Sequence, residues 1–117
     1  MGRKVTTFET VIAKLRNPDR NWKAFLWIVT SLDGLWAAVE PNLDFAHETA
    51  ELSPGRYGFL SGGERRMLNL ARSLFDGHGE VDVTDLADFL DDRTWRVILE
   101  ALVIYRTNVL PAAHTAA

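Results

Sequence analysis

DRNWKAFLWIVTSL, residues 19–32, is the most apolar helical pattern in the chain. Trp22, Phe25, Leu26, Val29 and Leu32 recur at helical spacing, and Trp27 and Ile28 widen that face until the segment is nearly apolar all round. Asp19 or Asn21 caps its start. Such a helix belongs at the centre of a domain, because its second face would otherwise stay in water. Asp33-Gly34 weakens the pattern without compelling a break, since glycine costs only about 1 kcal/mol relative to alanine. Leu35, Trp36 and Val39 are therefore read as its continuation as far as Glu40-Pro41.

The flanking sequence supplies partners for it. Thr6 and Glu9 form a T-x-x-E capping box, followed by Phe8, Val11, Ile12 and Leu15 on one face and a stop at Asn17-Pro18. Residues 41–59 lose the periodicity and are read as an ordered connection with one helical turn around Phe45 to Ala50. Ser61-Gly62-Gly63-Glu64 is a second capping box. It opens a helix that buries Met67, Leu68, Ala71, Leu74 and Phe75, turns Arg65, Arg66, Asn69 and Arg72 outward, and ends at Asp76-Gly77. Val81-Asp82-Val83 alternates like a short strand, and Thr84 caps a brief helix through Leu86, Ala87, Phe89 and Leu90. Asp91 or Asp92 caps the last helix, whose core stripe is read as Trp95, Ile98, Leu99, Leu102 and Val103, broadened by Val97, Ala101 and Ile104. The expected fold is all-α: one compact bundle of four to five helices over residues 1–110, at most one pair of very short strands, and a loose tail at 111–117.

With 117 residues, 47% of them hydrophobic and 25% charged, the chain has the composition of one globular domain. The absence of cysteine excludes thiol redox chemistry, thiolate metal sites and cysteine nucleophiles, and it favours a reducing compartment, the cytoplasm. No run approaches the roughly 18 apolar residues of a membrane span. His47, His78 and His114 lack metal-ligand spacing. A calcium loop starting at Asp76 would place Val81 where the turn needs glycine and Ala87 where the bidentate Glu belongs. Met1-Gly2-Arg3-Lys4-Val5-Thr6 formally fits a myristoylation pattern, but Thr6 is already read as a cap. No G-x-S-x-G serine context occurs. No cofactor, no metal and no catalytic residue is expected, and the protein is read as a non-enzyme.

Leu60-Ser61-Gly62-Gly63-Glu64-Arg65-Arg66-Met67-Leu68-Asn69-Leu70-Ala71-Arg72 resembles the signature segment of ABC-type ATPases, in which the glycines and a helix N-terminus meet a nucleotide phosphate. The likeness covers about thirteen residues, and no G-x-x-x-x-G-K-[ST] loop accompanies it. What it implies is at most a weak anion site at Ser61, Gly62 and Gly63. The order of elements from Arg65 to Arg106 is similar to a winged-helix module, which implies a last helix in the DNA major groove. That helix, however, carries Val97, Ile98, Leu99, Leu102, Val103 and Ile104 where a groove reader needs polar and basic groups.

Charge is segregated. Residues 1–30 hold six basic residues against Glu9 and Asp19, whereas residues 76–92 hold seven acids and no Lys or Arg. Complementary fields of this kind speed encounter with a partner. On an α-helix Trp22 and Trp27 lie about 140° apart, so one of the two is expected near the surface. The leading expectation is a small non-catalytic protein-interaction module, an adaptor, inhibitor or regulatory accessory protein. Its partner would present a basic surface to Asp85, Asp88 and Asp92 and an apolar contact to Trp27, Phe45 and Tyr57. A homodimer is a further partner class, a winged-helix-like DNA-binding regulator is the alternative, and no membrane partner is expected.

Overall fold

The Asp19 carboxylate accepts a hydrogen bond from the Trp22 amide at 3.0 Å and so begins α2 (Arg20–Val29) at one of the two expected caps. The computed structural model describes residues 3–111. Within them lie α1 (Arg3–Ile12), α2, α3 (Asp33–Val39), a hairpin of β1 (Leu43–Asp44) and β2 (Thr49–Ala50), α4 (Gly62–Asp76), α5 (Val83–Phe89) and α6 (Asp92–Thr107), with short 3-10 turns at Glu40–Asn42 and Pro54–Tyr57. The fold is all-α with one minimal antiparallel strand pair, Leu43 opposite Ala50 and Asp44 opposite Thr49. His114 and the expected tail beyond Pro111 lie outside the described residues.

α2 is the central helix. It buries Trp22, Ala24, Phe25, Leu26, Ile28 and Val29 and packs chiefly against α4 and α6, with α1 and α3 beside it. Phe8, Val11 and Leu15 close the core from the α1 side, and Met67, Leu68, Leu70, Ala71 and Leu74 from α4. The junctions between helices are polar. Asn21 Nδ2 donates to the carbonyls of Leu74 and Phe75 at 3.1 Å each, covering acceptors that the end of α4 leaves open. Arg20 donates to the Tyr105 carbonyl at 3.2 Å and lies over the Tyr105 ring, and Lys23 donates to Asn108 Oδ1 at 3.0 Å, so two cations sit at the C-terminal end of α6.

Several boundaries differ from the sequence reading. α1 starts at Arg3, so Thr6 is an internal residue and not a cap. Its end tightens through Lys14 N–H to Val11 and Leu15 N–H to Ile12, which brings Leu15 into the core three residues past the last α-helical position. The long helix expected from 19 to 39 is two helices. Thr30 Oγ1 donates to Leu26 O at 2.7 Å and Ser31 Oγ to Ile28 O at 2.6 Å, while Leu32 turns extended at φ −124°, and α3 restarts at Asp33. The helical turn expected at 45–50 is instead the hairpin turn, with the Asp44 carboxylate taking the His47 amide at 3.0 Å. Val81-Asp82-Val83 is not a strand: Asp82 accepts from the Asp85 amide and caps α5, displacing Thr84 from that role.

Gly77 ends α4 in the left-handed region at φ 80°, as a helix-terminating glycine does. Gly79 is needed for a different reason. A methyl group there would collide with the Asn69 carbonyl oxygen and lie 2.8 Å from Ser73 N, both in the backbone of α4. Gly79→Ala is expected to lift the 77–82 connection off α4 and cost about 1–3 kcal/mol, the range for overpacking. A denaturant midpoint equal to wild type would refute the close approach.

Candidate partner-docking surface

The acidic segment is more occupied than its sequence suggests. Asp82 and Asp91 are caps, and Asp91 takes both the Thr94 amide at 2.9 Å and the Thr94 hydroxyl at 2.8 Å, which hold its carboxyl below the usual range. Asp76 accepts from the His78 amide at 2.9 Å. Asp85, expected to lack a basic neighbour, has one: Arg66 Nε donates to Asp85 Oδ2 at 2.6 Å, and the same guanidinium lies 3.9 Å from the Phe89 ring centre. Arg66 is therefore half-buried between α4 and α5, and Asp85 is tied to it. Asp88 and Asp92 remain exposed.

The three expected contact aromatics are scattered. Tyr57 is 2% exposed, because its hydroxyl donates to the Glu51 carbonyl at 2.7 Å and accepts from Asn42 Nδ2 at 3.0 Å. With both polar needs met inside, the ring joins the core, and burial pushes the phenol pKa up. Tyr57 is thus not a surface contact. Phe45 is half-buried in the hairpin turn, with the Lys14 ammonium 5.2 Å from its ring centre. Trp27 is half-buried as well, edge-on to Phe8 at 5.0 Å between ring centres, with its indole N–H donating to Glu100 Oε1 at 3.1 Å. Trp22, by contrast, is in the core.

At the start of α4 the capping box forms in full: Ser61 Oγ accepts from Glu64 N–H at 3.1 Å, and Glu64 Oε1 accepts from Ser61 N–H at 3.0 Å. The hollow beside Ser61 and Gly63 is bordered by Glu64 and Asp91, two carboxylates that oppose an anion there. Ser61→Ala is expected to cost about 0.5–2 kcal/mol through loss of the cap. It is expected to leave nucleotide binding at the background level of wild type. ATP turnover by wild type that disappears in Ser61→Ala would refute that assignment.

α6 exposes apolar residues that the sequence expectation assigns to the core. On α6 it is Ile98, Ala101 and Ile104 that face the core, and Leu99, Leu102 and Val103 stand 45%, 42% and 55% exposed. Asn108 then takes the left-handed conformation and turns the chain, so that Val109, Leu110 and Pro111 form one bank of a groove of about 530 Å³, with Arg96, Leu99, Glu100 and Val103 forming the other. The signal that could have found this face is the run 97–104 within α6, apolar at every position but Glu100, which one buried side cannot absorb. The strand that a winged-helix module needs ahead of this helix does not form at 81–83. Neither a protein-family model, nor a curated protein, nor a solved structure matches the chain. No helix among the described residues is long and apolar enough to cross a membrane.

Proposed function

We propose that this chain is a small non-catalytic protein-interaction module, an adaptor, inhibitor or regulatory accessory protein, that holds another protein against the outer face of α6, the partner being basic where it meets Asp88 and Asp92. The observation that carries this reading is the exposure of Leu99, Leu102 and Val103 on a 16-residue helix whose opposite side is core. Contiguous apolar surface on a small domain is the usual mark of a contact site. Asp88 and Asp92, exposed near the start of the same helix, add a field that would speed encounter with a basic partner. A second reading uses the same helix: Arg93, Arg96 and Arg106 are exposed on it, as a DNA-binding regulator requires. Leu99, Leu102 and Val103, which offer nothing to phosphates, stand among these arginines and favour the protein partner.

The test compares wild type with Val103→Glu as baits in host lysate and measures retention of both on DNA across a salt series. The substitution lies on an exposed position, so unfolding midpoints are expected to agree. Proteins captured by wild type and lost by Val103→Glu support the docking face. Identical capture by the two baits refutes it, and DNA retention that falls steeply with salt selects the second reading.

A further inference from the structure

We infer that the cleft beside Trp27, between α2 and α6, binds an alkylammonium group, in a protein partner the end of a lysine side chain. Its volume is about 130 Å³, room for one side chain and well below the roughly 300 Å³ at which cofactor-sized pockets begin. Two of its walls are the rings of Phe8 and Trp27, set edge-to-face at 78°. Its polar edges come from Thr30, Ser31, Glu100 and Arg93.

The hydrogen bonds already present decide what those edges can offer. Thr30 Oγ1 lies 2.7 Å from the Leu26 carbonyl and Ser31 Oγ 2.6 Å from that of Ile28. A carbonyl oxygen only accepts, so each hydroxyl has committed its single hydrogen to the backbone and has only lone pairs left. The Trp27 N–H is committed to Glu100. What remains around the cleft is two hydroxyl acceptors, a carboxylate, two aromatic rings and Val97, with the exposed Arg93 as the opposing cation. An ammonium group brings three donors and one positive charge to that set, and its alkyl stem lies against the rings. A carboxylate would meet Glu100 and lone pairs, and a plain alkyl chain would leave the acceptors without donors.

Glu100 also borders the apolar groove of α6, so a lysine beside a partner's apolar patch would reach the cleft. The inference does not need that partner, which makes its failure separable from failure of the docking face. The probes are n-butylammonium, n-butanol and butyrate, titrated into the whole chain while the Trp27 indole N–H resonance, assigned with Trp27→Phe, is followed by NMR. n-Butylammonium is expected to shift it saturably, with n-butanol and butyrate each at least about ten-fold weaker, the step a charged hydrogen bond typically adds. Glu100→Gln is expected to weaken n-butylammonium about ten-fold with the unfolding midpoint retained, and Arg93→Ala is expected to strengthen it. Absence of a saturable shift, equal binding of n-butanol, preferred binding of butyrate, or an unchanged affinity in Glu100→Gln would each overturn the assignment.

Discussion

Phe25→Ala is expected to lose about 3–5 kcal/mol of folding stability, the range for truncating a fully buried aromatic side chain. Phe25 has no exposed surface and sits in the middle of α2, where its ring centre lies 4.9 Å from that of Phe75 on α4 and 6.0 Å from that of Trp22. Trp22 and Phe75 themselves meet at 4.7 Å. Removing Phe25 therefore leaves a cavity between two helices and takes two of the three ring contacts with it, each worth roughly 0.5–1.5 kcal/mol beyond area alone. Small domains hold only about 5–15 kcal/mol in total, so the variant should be partly unfolded well below the wild-type midpoint. Equilibrium denaturation monitored by far-ultraviolet circular dichroism gives the value. A loss under about 1 kcal/mol would mean that α2 is not the centre of the core.

The second large effect is a contrast between neighbours. Ile98→Ala is expected to cost about 2–5 kcal/mol, whereas Leu99→Ala one position later is expected to cost under about 1 kcal/mol. Ile98 is 1% exposed and belongs to the face that packs on α2, while Leu99 is 45% exposed. Equal losses in paired denaturation curves would mean that the helix is rotated relative to the arrangement described above. The sequence expectation placed Leu99 and Leu102 in the core, and the structure turns the stripe by roughly a third of a turn, since successive residues on a helix are about 100° apart. Both orientations present apolar residues. The buried face is built around the small Ala101 with Ile98 and Ile104, which lets α6 approach α2 on that side.

What could be read from the chain is what a few neighbouring residues determine. The capping box of Ser61 with Glu64 and the stop at Gly77 are local chemistry and stand as expected, and Asp19 and Asp91 are each one of the two caps expected at their helices. So does the central place of α2, because a helix apolar all round has nowhere else to go. Some local chemistry escaped as well, namely the break after α2 at Thr30 and Ser31, the start of α1 ahead of Thr6 and the cap at Asp82; the rest depends on distant partners or on very short elements. The Arg66 to Asp85 pair joins α4 to α5 across nineteen positions. Tyr57 is buried through Asn42 and the Glu51 carbonyl, neither adjacent to it. Two-residue strands carry no periodicity, so β1 and β2 could not be seen as alternation. Of the expected contact residues, Asp88 and Asp92 remain at the surface, Trp27 lines a cleft, and Tyr57 belongs to the interior.

The central position of α2 also has a consequence in time. Its covering helices α4 and α6 come from residues 62–76 and 92–107, so the most apolar helix of the chain is synthesised before either of them. At about 5–20 residues per second, the interval from the end of α2 to the end of α6 is on the order of 4–16 s. Until first α4 and then α6 have been made, Trp22, Phe25 and Leu26 on the nascent chain lack the surfaces that will bury them. The same connectivity that places α2 between α4 and α6 leaves its apolar residues open on the nascent chain to holding chaperones and to aggregation until α6 has been made.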